Sequence, residues 1–209
     1  MGSDSAGSFA AWARDAQAVL RTGGTSAVPC DGCTACCRSS QFVHIAPDEA
    51  DTLAHVPKPL LFPAPGLPAG HVLLGYDERG HCPMLVDDRC SIYAHRPRAC
   101  RTYDCRVFAA TDTELDAKPL VAQRVTHWRF DIDTDADRAS AGAIRAAHAF
   151  LADDDRDASG RAVLAVAIHD LFLGGEPDAD AVRAEIERRR AGPTPSSGRR
   201  TGRSNRGRA

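Results

Sequence analysis

Four cysteines stand within eight residues near the start of this chain of 209 residues, in the stretch CDGCTACC. They are Cys30, Cys33, Cys36 and Cys37. Two residues separate the first from the second and the second from the third. At that spacing, thiolates on one short loop converge on a zinc ion or on an iron–sulfur cluster. Gly32 lets the backbone turn tightly between the first two. The stretch therefore predicts a loop around an inorganic centre.

The other four cysteines follow much later in the chain, within 24 residues of one another. They are Cys82, Cys90, Cys100 and Cys105. Their spacing is loose for a zinc knuckle, but they supply the remote ligands that the early loop needs. Arginines lie among or beside them, and we expect the guanidinium groups of four of these to offset the negative charge of a thiolate-ligated centre. These are Arg96, Arg98, Arg101 and Arg106. Eight thiols permit two tetrahedral sites or one cluster with spare ligands, and both remain open.

Other uses of the cysteines are weaker hypotheses. The first twenty residues do not resemble a secretory signal, and the longest apolar run, residues 162–168, is too short to cross a bilayer. We therefore expect a cytoplasmic protein, in which thiols stay reduced and disulfides are rare. A thioredoxin-like dithiol at Cys33 and Cys36 lacks a flanking βαβ pattern. Metal binding is the main prediction, with zinc or an iron–sulfur cluster as the cofactor; the three evenly spaced cysteines slightly favour a 4Fe-4S cluster.

The motifs CDGCTACC, CPML and CSIYAHRPRACRTYDC together resemble the YkgJ-type cysteine-cluster family, described as a zinc- or iron-chelating domain. The family pattern is C-x2-C-x2-C-C, then C-P-x-L, then C-x-I-Y-x2-R-P-x2-C-R-x-[FY]-x-C. All eight cysteines fall on its cysteine positions, and the resemblance covers about residues 28–108. It implies that these eight residues bind metal. Some relatives, such as the flagellin lysine N-methylase, are enzymes, although most members have no assigned activity.

Catalytic motifs outside the cysteines are missing from the sequence. A radical-SAM loop needs C-x3-C-x2-C, and Ser40 stands where its third cysteine would be after Cys33 and Cys37. No phosphate-binding loop, zinc-protease motif or nucleophile elbow is present. Any redox or enzymatic role would therefore rest on the metal centre. The alternative is a zinc-stapled module without catalysis that docks a protein or nucleic acid. Three histidines near the cysteines are candidates to replace a thiolate: His44, His81 and His95.

The hydrophobic pattern predicts an α+β protein, in which a small cysteine-rich region of short strands and loops packs against N- and C-terminal helices. The predicted helices are 5–21, a short one from Pro47 to about His55, 137–152, 159–173 and 178–190, with another short helix after Pro97. The predicted strands are 41–46, 71–76, 82–86 and one within 121–132, and the proline-rich segment 58–70 is predicted to be a loop.

We predict a single domain over residues 1–190, with a cysteine region at 28–108 and a mainly helical part at 120–190. Residues 191–209 contain five arginines and no acidic residue, and their Pro, Ser and Gly content predicts a disordered tail. Nucleic acid binding would be expected only through this tail, by contacts to phosphates.

Overall fold

The computed structural model describes residues 4–28, 32–175 and 177–190, and its α+β architecture confirms the predicted fold class. The helices are α1 Phe9–Thr22, α2 Ala50–His55, α3 Arg98–Thr102, α4 Arg106–Ala110, α5 Pro119–Val125, α6 Asp135–Phe150, α7 Ala158–Ile168 and α8 Ala179–Arg190. The strands are β1 Asp4–Ser8, β2 Val43–Ile45, β3 Leu61–Pro63, β4 Val72–Leu74, β5 Leu85–Val86, β6 Arg89–Cys90 and β7 Trp128–Asp131. Short 3-10 helices cover Cys36–Arg38, Lys58–Leu60, Tyr93–His95 and His169–Phe172.

A helical core forms where α1 packs against α6 and α7. The inner face of α1 carries Phe9, Trp12, Ala13 and Ala16, all buried. The predicted helix over 5–21 is therefore correct, except that residues 4–8 form β1, which pairs in parallel with β7. Ser8 caps the helix by accepting a hydrogen bond from the Ala11 N–H. Helix α1 ends at Gly23, whose backbone is left-handed.

The start of α6 is fastened to the start of α1 by one buried carboxylate, that of Asp137. It accepts hydrogen bonds from the Ser8 hydroxyl at 2.7 Å and from the Ala10 N–H at 2.9 Å. Within α6 it accepts from the backbone and hydroxyl of Thr134, which completes a capping box. The Ala10 N–H, followed by Thr134 and Ser8, holds the pKa of Asp137 well below its ordinary value.

A second core lies beneath a three-stranded antiparallel sheet of order β2-β4-β3. Its buried residues are Ile45, Val56, Leu74, Met84 and Ile92, with Cys82 and Cys90 packed against them. Cys105 belongs instead to the helical core. The later cysteines are therefore distributed between the two cores of the fold.

Three strand predictions needed correction. The proline-rich segment 58–70 contains β3, because an edge strand tolerates Pro63, which has no N–H to donate. The predicted strand over 82–86 is reduced to β5, which pairs with β6 and not with the strand at 71–76. In the segment 121–132, only β7 is a strand, and α5 precedes it. Strand β7 pairs with β1 from the far end of the described chain, whereas β5 and β6 form a local hairpin.

Backbone contacts group the chain into residues 1–176 and 177–209. Helix α8 lies in the second group and agrees with the predicted helix over 178–190. The single domain over 1–190 stays a prediction, and the predicted tail, 191–209, lies outside the described residues. In the part of the chain that the structure describes, no helix has the length and apolar character needed to cross a membrane.

Candidate metal centre

One cavity of about 520 Å³ collects cysteines from both groups, and we call it the cysteine cavity. Its cysteines are Cys33, Cys36, Cys37, Cys82, Cys90 and Cys100. All six are partly exposed. Cys105 does not line this cavity, and Cys30 lies outside the described residues. The fold therefore brings together six of the eight predicted ligands, three from each end of the cysteine region.

The early cysteine loop is shaped by its own side chains. The guanidinium of Arg38 donates to the Thr34 hydroxyl at 3.1 Å, and the Ser39 hydroxyl donates to the Ala35 carbonyl at 2.6 Å. These bonds close the turn that contains the 3-10 helix Cys36–Arg38. Each of them joins residues four apart in sequence, so the turn is set locally.

Two backbone hydrogen bonds fasten this loop to the later group. The Cys82 N–H donates to the Cys37 carbonyl at 2.7 Å, and the Ser40 N–H donates to the Gly80 carbonyl at 2.9 Å. Gly80 has φ +77°, and a Cβ placed on it would lie 2.3 Å from the Ser40 hydroxyl oxygen. The left-handed backbone therefore favours glycine at the point where the two halves of the site meet.

The three later cysteines of the cavity lie on or next to short elements. Cys82 precedes the β5–β6 hairpin, Cys90 ends it, and Cys100 lies in α3. The buried carboxylate of Glu49 accepts from the Arg98 N–H at the start of α3 and from the Ala46 N–H. This carboxylate ties α3 to the segment that precedes α2, and so it holds Cys100 against the cavity.

The thiols of the cavity influence one another electrostatically. Burial, with contributions from the neighbouring Cys36, Cys82 and Cys90, raises the pKa of Cys100 to about 12. Burial also raises the pKa of Cys82, again with contributions from Cys90 and Cys36. The Sγ atoms of Cys36 and Cys37 lie 4.0 Å apart, and this contact raises the pKa of Cys36. A bound cation would reverse these shifts, because a metal deprotonates the thiols that ligate it.

Cys105 lies in the helical core and is 8% exposed. The indole Nε1–H of Trp128 donates to its Sγ at 3.2 Å. Burial raises the pKa of Cys105 to about 11, although the Trp128 bond lowers it, and Cys33 is among the groups that raise it. Cys105 therefore lies near one cysteine of the cavity while its own side chain packs behind the cavity wall.

The segment beside Cys105 is held by a buried ion pair. The Asp104 carboxylate pairs with the Arg106 guanidinium at 2.7 Å. It also accepts from the Trp12 indole at 3.0 Å and from the Ser26 hydroxyl at 2.9 Å. One side chain thus joins α1, the loop before the early cysteines and the start of α4.

Among the four arginines expected to surround the thiols, Arg96 lines the cysteine cavity, together with Arg89. The Arg96 guanidinium lies 3.7 Å from the centre of the Tyr93 ring and lowers the pKa of Cys100. The other three are engaged elsewhere. Arg98 pairs with Asp48, Arg101 lies 3.9 Å from Glu49, and Arg106 pairs with Asp104. Arg89 was not among the arginines predicted to face the thiols, although it directly precedes Cys90.

The three candidate histidines do not line the cysteine cavity in the described part of the chain. His44 Nε2 lies 2.9 Å from His71 Nδ1. The backbone of His81 donates to Asp77, and the His95 ring contacts Asp51. The replacement of a thiolate by one of these histidines therefore has no support from their positions.

The distances between the thiol sulfurs can be compared with those around a bound metal ion. A zinc ion with four bonds of about 2.3 Å to sulfur requires Sγ atoms about 3.8 Å apart. Among the described residues, no three cysteine sulfurs lie within 4.8 Å of one another. No three of the described thiols therefore have the mutual separations of sulfurs around one zinc ion.

Comparison with known proteins gives one finding. Residues 29–122 match the model of the CxxCxxCC family, described as "Putative zinc- or iron-chelating domain". The comparisons with curated proteins and with solved structures gave no significant match. The match spans both cysteine groups and supports metal binding in this region.

Proposed function

We propose that the protein uses the cysteines of residues 29–122, the segment that matches the CxxCxxCC family model, to hold an iron–sulfur cluster with a redox role. The observation that carries the proposal is the cysteine cavity, where six thiols from two distant segments line one space of about 520 Å³. Zinc or iron chelation is what the family description supports. The choice of a cluster rests on the spacing of the thiols.

We propose that four of the thiols form the primary ligand set. They are Cys36, Cys82, Cys90 and Cys100. Their mutual effects on the pKa values of Cys82 and Cys100 support this set, since such effects require the thiols to be close. The remaining candidates, Cys30, Cys33, Cys37 and Cys105, would serve a second position beside the first. The influence of Cys33 on Cys105 supports that pairing.

The surroundings of the cysteine cavity suit a negatively charged cluster. Arg89 and Arg96 lie in its wall, and guanidinium groups near thiolate ligands stabilise their charge. When bound, such a cluster would accept and donate single electrons at a potential set by its charge, its hydrogen bonds and its exposure to solvent. All six cavity cysteines are partly exposed, so a small reactant could approach them.

Anaerobic purification and element analysis test the proposal. We expect a brown protein that absorbs near about 400 nm and contains iron and acid-labile sulfide. A colourless protein with stoichiometric zinc and no sulfide would overturn the cluster. That result would favour the zinc-stapled interaction module instead, because a closed zinc site has no redox chemistry.

Single substitutions test the division of the ligands. Cys100→Ser should abolish the primary centre, whereas Cys105→Ser should leave it in place and remove only metal held at the second position. Ala99→Ser is the matched control, because Ala99 also lines the cavity beside Cys100 but offers no thiol. The iron content per chain, measured for Cys100→Ser, Cys105→Ser and Ala99→Ser, tests this division of the ligands. Equal iron content in Cys100→Ser and in the control would refute the primary set.

Cys33→Ser gives a separate test of the early loop. Because metal binding and folding share their free energy, loss of this ligand should release metal and destabilise residues 28–108. Full metal content with an unchanged melting transition would show that Cys33 is not a ligand.

A further inference from the structure

A cluster of metal-ligating side chains lies apart from the cysteines, on the surface formed by α2 and the 3-10 helix Tyr93–His95. It consists of Asp51, His55 and His95, whose donor atoms all lie within 4.8 Å of one another. Asp51 and His55 are four residues apart in α2, so they occupy the same face of that helix. His95 comes from a distant segment, and only the tertiary structure brings it to the pair.

The distances between the donor atoms match those of a coordinated ion. His95 Nδ1 lies 2.8 Å from Asp51 Oδ2, and His55 Nδ1 lies 3.7 Å from Asp51 Oδ1. A tetrahedral zinc ion with bonds of about 2.0–2.1 Å separates its nitrogen and oxygen ligands by about 3.4 Å. The two observed distances lie on either side of that value. Binding would therefore lengthen the Asp51–His95 contact, shorten the Asp51–His55 contact, and turn the two stacked rings so that their lone pairs converge on the ion.

The two imidazole rings are held together. Their centroids lie 3.5 Å apart, and their planes differ by 5°. The His55 Nδ1 also lies 2.8 Å from the Asp51 carbonyl oxygen, so binding would exchange this hydrogen bond for coordination.

Charge at the cluster favours a cation. The hydrogen bond with His95 holds the pKa of Asp51 below its ordinary value, with smaller contributions from His55 and Arg101. Arg101 is a competing positive charge, but its nearest acidic partner is Glu49, at 3.9 Å. The carboxylate is therefore ionised and available at neutral pH.

We propose that Asp51, His55 and His95 form a solvent-accessible site for a divalent transition-metal ion such as zinc or nickel. Two nitrogens and one carboxylate suit these ions, whereas calcium and magnesium prefer ligands that are all oxygen. Three protein ligands leave a coordination position open to water or to a small molecule, unlike the closed four-ligand sites that hold a fold together. The side chains are 37–65% exposed, so the ion exchanges readily with solvent.

The test uses the full chain with its cysteine centre already loaded, under anaerobic conditions, titrated with Ni²⁺ in a calorimeter. We expect one additional Ni²⁺ per chain. Affinity should fall at least about tenfold in His55→Ala, His95→Ala and Asp51→Asn, because each removes one of three ligands. The matched control is His44→Gln, which removes a histidine from the other stacked pair, His44 and His71. Its affinity should equal that of the unaltered protein.

A Co²⁺ spectrum separates this site from the thiols. Bound at the proposed nitrogen and oxygen ligands, Co²⁺ gives weak visible bands without the strong near-ultraviolet absorption that thiolate ligands add. The proposal is overturned if no additional ion binds, if the added ion carries the thiolate absorption, or if the three variants bind it as tightly as His44→Gln. Each of these outcomes is independent of which metal occupies the cysteine cavity.

Discussion

Removing the Asp104 carboxylate should be among the most damaging single changes near the candidate metal centre. Its side chain is 5% exposed and that of Arg106 is 10% exposed, so Asp104→Ala leaves a guanidinium buried without its carboxylate. Breaking a buried pair in this way costs about 3–5 kcal/mol. The indole N–H of Trp12 and the hydroxyl of Ser26 lose their acceptor in the same step.

This loss is large compared with the stability of the molecule. Natural proteins are stable by about 5–15 kcal/mol. For a chain of this length, each 1 kcal/mol shifts the melting temperature by about 2–4 °C, so Asp104→Ala should melt roughly 6–20 °C lower. Because Asp104 directly precedes Cys105, the variant should also lose order in the wall behind the cysteine cavity.

Urea denaturation followed by far-ultraviolet circular dichroism measures the change, with the metal content of both proteins matched. The control is Arg138→Ala, which removes an exposed pair whose side chains are 57% and 101% exposed. Such pairs contribute at most about 1 kcal/mol. In a double-mutant cycle, Asp104→Ala with Arg106→Ala should cost less than the sum of the single changes, by about 1–3 kcal/mol. If Asp104→Ala costs no more than Arg138→Ala, the buried pair does not have the role assigned to it.

Two further predictions concern the scaffold. The depressed pKa of Asp137 means that its stabilising effect is present above its unfolded pKa of about 3.9 and is lost as the pH falls below that value. Asp137→Asn should therefore be less stable than the unaltered protein at pH 7 and should lose less stability on acidification. The urea midpoint of both proteins, measured between pH 6 and pH 2, checks this. Parallel pH profiles for the two proteins would contradict it. Gly80→Ala should cost at least about 1 kcal/mol, because a left-handed backbone and the close Ser40 hydroxyl both oppose a Cβ. Gly174→Ala, where a Cβ meets nothing within 4 Å, is the control, and equal melting temperatures for the two variants would refute the argument.

Local signals predicted much of the fold. Helix α1 lies close to the predicted 5–21, and α6 lies close to the predicted 137–152, because the spacing of apolar residues along a helix is a local signal. Strand pairing was less predictable. The residues of β4 read as a strand, but their pairing with β2 and β3 depends on the shared core beneath the sheet.

The same contrast holds for the charged groups. Proximity in sequence suggested that Arg98, Arg101 and Arg106 would face the thiols. Arg98 and Arg101 instead lie close to carboxylates about fifty residues away, and Arg106 pairs with a neighbour turned inward beside Trp12. The fold decides which guanidinium lies beside which carboxylate, and no local pattern shows that for Arg98 and Arg101.

The sequence by itself predicted a metal-binding site, because the number, kind and short-range spacing of the thiols limit what such a loop can ligate. Only the tertiary structure decided which thiols share a cavity, that Cys105 packs behind its wall, and that His95 meets Asp51 and His55. Ligand spacing on one loop is a property of a few consecutive dihedral angles. Contacts between residues that are dozens of positions apart instead depend on how the two hydrophobic cores pack. That packing depends on residues from many parts of the chain.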